Sequence, residues 1–431
     1  MESLWNNDFD LHSFDELKSD TECDVLIVGG GIAGILCAYF LDKEGVDYIL
    51  LESDRICEKT TAHTTAKITS LHGFIYSRLI KEFDLEFASQ YHEANEEAIR
   101  EFKSIAKNID CDFKSVDSYI YSFYNKKKLE SEYRAIRSLG INASFANETE
   151  LPFEIAGAIK LERQGVINPL KFIKGISKNL KIYENSHVIK VKKNVAYTKK
   201  AKVSAKKIIF ATHFPFIDLH GLYPIKMYQE KSYAIAFKGQ KKINGTYIDD
   251  KSLLSIRSYD DYTILGGQKH RTGKKSGGWD ALCAFKEKYF PGNEIEYKWA
   301  AEDTITLDGV PYIGKYSLLS KDKYVITGFN KWGMTSSMVG AKLITDLILE
   351  RKNRYERIFS PQRPILRKQL AFNLVEATNN ILSFSTPRCT HLGCKLVWNK
   401  KERTWDCPCH GSKFDKNGNI LNGPANKNLK I

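Results

Sequence analysis

The chain has 431 residues, 42% hydrophobic and 27% charged, enough for about three domains with real cores. That composition excludes a mostly disordered, collagenous or multi-span membrane chain. Lys and Arg number 65 against 52 Asp and Glu, a net charge of +13. This balance admits nucleic acid, a membrane surface or an acidic protein as partner, but the basic residues are scattered among acids without an arginine-rich tract, so no nucleic-acid module is expected.

The first 22 residues are acidic and lack the basic-then-apolar layout of a secretory signal. Val25 to Leu41 is a run of 17 uncharged residues, short of the roughly 20 that a membrane span needs. Gly29, Gly30 and Gly31 interrupt it early, so it reads as strand, glycine turn and helix. With no other candidate span, the sequence predicts a cytoplasmic protein without membrane insertion.

Asp24 to Val28 is a buried-strand pattern that runs into Gly29-Gly30-Gly31-Ile32-Ala33-Gly34, a G-x-G-x-x-G match. A helix follows over Ile35 to Lys43, a second strand over Val46 to Leu51, and Glu52 closes that strand. Gly29 permits the tight turn, Gly31 lets backbone approach a pyrophosphate, and Gly34 lets helix and strand pack closely. The helix N-terminus offers free N–H groups to phosphates, and Glu52 is placed to accept from a ribose hydroxyl. Strand, motif, helix, strand and acid in register predict a dinucleotide site.

Phe87 to Asn108 has the apolar spacing of an amphipathic helix, while Ser118 to Tyr124, Tyr228 to Lys238, Gly245 to Ile248 and Tyr262 to Leu265 alternate like strands. Lys190 to Lys207 carries eight lysines among Val, Ala and Ser, read as a solvated hairpin face, with docking of an acidic electron acceptor as the other reading. Tyr183 to Val188, Lys207 to His213, and Tyr324 to Phe329 leading through Lys331 to Met334 into the apolar helix Val339 to Leu349 add strand and loop signals far from the first motif. A nucleotide domain that the chain re-enters twice points to FAD rather than to a two-half NAD dehydrogenase. Arg257, Tyr247, His270 and Lys226 are the candidate substrate contacts, Arg257 as a bidentate carboxylate grip.

These features resemble the FAD-dependent amine and amino-acid oxidoreductases, the family that includes D-amino-acid oxidase and glycine oxidase. The resemblance spans roughly Asp24 to Glu350. It rests on the glycine motif, Gly165-Val166-Ile167-Asn168-Pro169, Ala211-Thr212-His213, Asp308 to Gly314 and Gly328 to Met334. It implies an α/β fold: a Rossmann-like FAD-binding domain (about 22–85, 160–215 and 300–350) under an antiparallel-sheet α+β substrate domain (about 110–160 and 220–300). By that resemblance the segment from Gly328 brings a helix N-terminus to the flavin pyrimidine ring, with Gly333 and Met334 as backbone donors, and Val188 and Thr212 flank the adenosine half. His63, in Thr60-Thr61-Ala62-His63, lies where relatives such as the dimethylglycine dehydrogenases attach FAD covalently to a histidine; a plain hydrogen bond to the flavin or its phosphates is the other role open to it.

Five of the nine cysteines (Cys23, Cys37, Cys57, Cys111, Cys283) are widely separated and read as small buried hydrophobes. The other four, Cys389, Cys394, Cys407 and Cys409, crowd around His391 and His410. Such a set binds a [2Fe–2S] centre or zinc. The boxes Cys389-Thr390-His391-Leu392-Gly393-Cys394 and Cys407-Pro408-Cys409-His410-Gly411-Ser412 resemble those of Rieske proteins. By that resemblance Cys389 and Cys407 hold one iron, His391 and His410 the other, and Cys394 and Cys409 form a disulfide across the loops. Two departures stand out. Phe414 replaces the tyrosine common in high-potential members, leaving Ser412 as the hydroxyl donor. The stretch 361–388, a linker or residual base, does not read as several paired strands, so the small β-rich module is expected over 389–431.

The expectation is an enzyme with two cofactors, FAD and a [2Fe–2S] cluster. It would take hydride from a small amine or amino acid and pass electrons singly to an external acceptor, as a dehydrogenase rather than an oxidase. The alternatives are a cluster-fed reductase, and a plain or redox-sensing flavoprotein whose short C-terminal module binds zinc or nothing.

Overall fold

The computed structural model describes residues 2–6, 11–216, 220–239, 242–251, 254–383 and 387–430. The strand Thr21–Val28 forms where the sequence places it, because Val25 to Val28 are apolar on both faces and are covered on both. It pairs in parallel with Tyr48–Leu51 on one side and Lys202–Phe210 on the other. Lys323–Thr327 and Tyr312–Lys315 extend the sheet at one edge, Ile182–Tyr183 at the other. The lysine-rich stretch is a hairpin, Lys190–Lys192 with Val195–Tyr197, continuing onto Lys202–Phe210. Helix Ile32–Lys43 packs against helix Gly333–Ile348 over this sheet, so the first glycine motif and the segment after Gly328 converge at its carboxyl edge.

A second sheet of nine strands lies beside it, in the order Ile295–Thr306, Met227–Lys238, Tyr262–Arg271, Ser255–Tyr259, Thr246–Asp249, Lys114–Ser122, Gly157–Val166, Lys67–Ile68, with Ser144–Ala146 paired to Gly157–Val166. It is antiparallel as expected except at one seam, where Thr246–Asp249 runs parallel to Lys114–Ser122. Ile295–Thr306 and Gly157–Val166 belong to this sheet, so the stretches 300–306 and 160–166, expected with the dinucleotide domain, are part of its neighbour. The expected amphipathic helix runs Leu85–Ala106 with Asp84 as its cap, accepting from the Phe87 N–H.

After Arg363, whose guanidinium is buried on Asp308, the chain forms helix Lys368–Leu382. A single helix thus occupies the place of the missing strands, and Phe372, Val375 and Leu382 on it are exposed. The remaining residues make a four-stranded antiparallel sheet, Val397–Asn399, Thr404–Asp406, Lys413–Phe414 and Ile420–Asn422. Among the described residues no helix is long and apolar enough to cross a membrane.

Candidate functional site

A cavity of about 560 Å³ opens where the parallel strands end, walled by Val28, Gly29, Gly31 and Leu51. Glycine is obligatory at two points. A Cβ on Gly34 would sit 1.9 Å from the Gly29 carbonyl oxygen, and one on Gly29, at φ +109°, would sit 2.6 Å from the Ala211 oxygen. At Gly31 a Cβ would meet nothing nearer than Thr61 Oγ1 at 3.6 Å; this bare backbone fronts the cavity beside the N-terminus of helix Ile32–Lys43, whose cap residue supplies no side-chain partner. Gly34→Ala is therefore expected to prevent retention of a dinucleotide altogether, read as loss of flavin absorbance in purified protein.

Glu52 lies on the cavity wall, but one carboxylate oxygen accepts from the Gly30 N–H at 2.5 Å and the other from Ser53 Oγ and the Asp54 N–H. The cavity continues past His187 and Val188, past Thr212, His213 and Phe214, and ends between Trp332, Gly333, Met334 and the second sheet. His63 is on the wall, its Nδ1–H donating to the Lys59 carbonyl at 2.6 Å, which leaves Nε2 as acceptor, and burial lowers its pKa. Gly34 and Gly328 do not line the cavity. Gly328 turns the chain at φ +73°, where a Cβ would fall 2.3 Å from Thr306 Cγ2.

The four candidate substrate contacts are not brought to this cavity. Ile248 faces it, so Tyr247, one residue away on the same strand, faces the opposite side and stacks on Tyr119 at 4.6 Å. Arg257 is buried with Nη1 donating to the carbonyls of Thr65 and Ala66 at 2.9 and 2.7 Å. His270 stacks on Tyr233 outside the cavity. Lys226 donates to the Pro361 carbonyl at 2.9 Å, and burial together with Arg363 draws its pKa to about 8. The polar and aromatic side chains the second sheet does present are Lys67, Ser232, Tyr233, Ser255, Trp299 and Asp303, joined by Lys331. Lys67 was not among the expected residues; the period-2 pattern of a two-residue strand is too short to single it out.

The two cysteine boxes fold as matching loops. Cys389 N–H donates to Cys394 O and Gly393 N–H to Cys389 O; Cys407 N–H donates to Ser412 O and Gly411 N–H to Cys407 O, at 2.8 and 3.0 Å in each pair. Gly393 and Gly411 take positive φ at matching positions. The rings of His391 and His410 are 5.0 Å apart, centroid to centroid. Both Nδ1 atoms are buried without a hydrogen-bond partner among the described residues. His410 Nε2–H donates to the Pro224 carbonyl at 3.1 Å, which fixes the tautomer that leaves Nδ1 as a ligand lone pair. Burial lowers the pKa of both imidazoles, keeping them neutral. Two orphaned imidazole nitrogens, on the same two loops as the buried and mutually hydrogen-bonded thiols of Cys389 and Cys407, have the donor chemistry of a [2Fe–2S] centre with mixed ligands.

Cys394 and Cys409, the pair expected as a disulfide, lie side by side: their sulfurs and that of Cys407 are within 4.8 Å of one another, and the Cys394 thiol shares hydrogen bonds with those of Cys407 and Cys409. Phe414 is wholly buried and supplies no hydroxyl. Ser412 Oγ bonds the Cys389 thiol and accepts from the Ala425 N–H.

The two sites touch. Phe214 lines the cavity, and its ring centroid is 5.3 Å from that of His410 and 6.4 Å from that of His391. The stretch from Ile420 to Asn426, with Asn428, forms the cavity wall near His187 and Val188. Lys231 of the second sheet reaches Glu402 and Asp406 of the C-terminal module at 2.8 and 2.7 Å.

Residues 24–347 match the family described as FAD dependent oxidoreductase, and residues 362–431 match the Rieske [2Fe-2S] domain. The second match takes in the helix that stands where a strand base was missing. Over its whole length the chain is 35% identical to the Rieske 2Fe-2S iron-sulfur protein YhfW of Bacillus subtilis (strain 168), covering 97% of that protein. A 43-residue stretch, 10% of the chain, is 51% identical to 24% of the cytochrome b6-f complex iron-sulfur subunit 2 of Trichormus variabilis. The fold is similar to that of glycine oxidase from Geobacillus kaustophilus, with a TM-score of 0.68 and 16% identity over 80% of this chain and 99% of that one.

Proposed function

The chain belongs to the FAD dependent oxidoreductase family and carries a Rieske [2Fe-2S] domain, and from that premise we propose that it is a dehydrogenase of small amines or amino acids that delivers electrons through its cluster to an external acceptor. Bound here, FAD would supply a hydride acceptor for the C–H bond beside a neutral amine, whose nitrogen lone pair forms the C=N bond of the iminium product, and the cluster would supply one-electron carriage. The protein's own part is to hold both sites in one body. The observation that carries the reading is Phe214, whose ring belongs both to the wall of the cavity and to the packing around the cluster histidines.

Gly31 and the first turn of the helix after it, at Ala33, provide N–H groups for the pyrophosphate, with Val188 and Thr212 beside the adenosine half; the Gly29 N–H is held by the Leu51 carbonyl. Gly333 and Met334, at the start of the 16-residue helix Gly333–Ile348, direct its positive end into the cavity. Cys389, His391, Cys407 and His410 hold the cluster, and Cys394 and Cys409 are placed to form a disulfide on oxidation. The likeness to glycine oxidase supports a substrate bearing a C–N bond. The exposed lysines Lys190 and Lys192 follow Ile189, whose carbonyl accepts from Asn426 of the C-terminal module at 3.5 Å, which gives an acidic acceptor protein a docking face beside the cluster.

The test is anaerobic mixing of the two-cofactor protein with a panel of amines and amino acids. Bleaching of the flavin bands by at least one, followed by the EPR signal of a reduced Rieske cluster with average g below 2, is the expected result. A flavin that none of them reduces, or a cluster that stays oxidised beside reduced flavin, overturns the proposal.

A further inference from the structure

We propose that Lys67 is the carboxylate anchor of the substrate site, so that the substrate class is a small amino acid rather than a simple amine. This rests on the function proposed above and narrows it.

The backbone aims Lys67 firmly. Ala66 takes φ +52°, the Arg257 guanidinium clamps the carbonyls of Thr65 and Ala66, and Lys67–Ile68 pairs with Gly165 and Val166 at the edge of the second sheet. The side chain enters the cavity where Nζ meets Ser255 Oγ at 2.5 Å and lies 5.7 Å from the Trp332 ring centroid. Among the described residues no carboxylate lies within ion-pair distance of it. The other lysine at this end of the cavity shows the contrast: Lys331 is matched by Asp303 at 3.3 Å and Glu230 at 3.5 Å.

A cation withdrawn from water without a counter-ion is costly, and the usual remedy is a paired anion. The nearest charge is Arg257, also a cation, one of whose nitrogens, Nη2, is buried without a hydrogen-bond partner. Burial first, and Arg257 second, draw the Lys67 pKa down to about 7. This corner is therefore positive and uncompensated, and an anion brought by a ligand satisfies it with a charge-assisted hydrogen bond. Gly266 and Gly267 line the same corner; a Cβ on Gly266 would already touch Thr65 Cγ2 at 3.5 Å. Two residues without side chains beside a small hydroxyl leave room there for a carboxylate.

The test titrates the FAD-loaded protein with benzoate and with its neutral isostere benzamide, following the perturbation of the flavin bands. Wild type should bind benzoate about tenfold or more tightly than benzamide, the ratio that one charge-assisted pair supplies. Lys67→Met should abolish that preference with the benzamide affinity retained, and Lys67→Arg should keep it. Equal binding of the two probes by wild type overturns the anchor, as does a preference that survives in Lys67→Met. Should Lys67→Met fail to hold FAD, the wild-type comparison and Lys67→Arg still decide. The failure modes separate cleanly. Flavin reduced by carboxylate-free amines but by no amino acid refutes the anchor and leaves the dehydrogenase; flavin reduced by neither refutes the dehydrogenase, while the benzoate comparison still judges Lys67.

Discussion

Replacing Lys231 with methionine is expected to release the C-terminal module from the flavin domain and to stop cluster reduction while flavin reduction continues. Lys231 stands on Met227–Lys238 directly opposite Glu302 in register, with its side chain 2% exposed. Its ammonium reaches Asp406 at 2.7 Å, Glu402 at 2.8 Å and Glu302 at 3.2 Å. Asp406 immediately precedes the cluster ligand Cys407, so the ion group grips the module at the base of a ligand loop. Lys413, paired with Glu402, is the second cation of the group. Without Lys231, Glu302 and Glu402 share Lys413 and the buried Asp406 is left without a cation, and breaking a buried pair from one side costs about 3–5 kcal/mol. That is a large part of the roughly 5–15 kcal/mol that stabilises a typical domain. Stopped-flow absorbance would show the flavin bleaching at its normal rate with the cluster lagging at least about tenfold behind, the factor that about 1.4 kcal/mol produces. Proteolysis between the domains would accelerate. An unchanged cluster rate with an unchanged melting temperature would mean that the ion group does not hold the module.

The same group sets an acid limit. Burial pushes the Glu402 carboxyl upward, but Lys413 and Lys231 outweigh it and hold the pKa at about 2. Since the folded value lies below the unfolded one, the stabilisation is complete above about pH 4.5 and is lost as pH falls toward 2. Docking should therefore persist at pH 5 and fail progressively below about pH 4, a loss that Lys231→Met would show already at neutral pH.

What could be read from the sequence was what the chain arranges locally. Gly29 and Gly34 are five positions apart and meet within one turn, so their spacing announces their contact. The two cysteine boxes likewise fold as two matching loops of six residues each, so the spacing within each loop is the geometry. Helix Lys368–Leu382 was legible in principle, through Leu370, Leu374, Ala377 and Ile381 at helical intervals. The substrate face was not legible. Tyr247 and Ile248 sit in one alternating strand, and alternation alone does not say which parity meets the cavity. Arg257 has the chemistry of a carboxylate grip, yet Thr65 and Ala66, far away in the chain, claim its donors first. Lys67 acquires its role from Ser255, 188 residues away, and Lys231 from Glu402, 171 residues away, partners that only folding brings near.

Loss of the cluster is expected to loosen the FAD as well. The C-terminal residues that wall the cavity are held by the ligand loops themselves: Thr390 Oγ1, between two ligands, donates to the Lys427 carbonyl at 2.5 Å, and Ser412 Oγ accepts from the Ala425 N–H at 3.0 Å. Asn426 then hydrogen-bonds His187 next to Val188, and the segment from Ile420 to Asn428 borders the cavity. Cys407→Ser removes a ligand from a wholly buried position, frees both loops, and leaves the wall without its support. The FAD dissociation constant should rise about tenfold, within the 5- to 150-fold range of ordinary coupling between sites. Anaerobic removal of iron from the unaltered protein should raise it equally, which distinguishes the loss of the cluster from the substitution itself. Asn426→Ala should weaken FAD while the cluster's EPR signal stays intact, because it cuts the chain of contacts beyond the ligand loops. Reciprocity then requires that removing FAD lower the chelator concentration needed to strip the iron at equilibrium, since two ligands that stabilise the same arrangement must each favour the other. FAD affinity that is indifferent to the cluster would show that the segment only adjoins the cavity, and the two cofactors would then be neighbours without linkage.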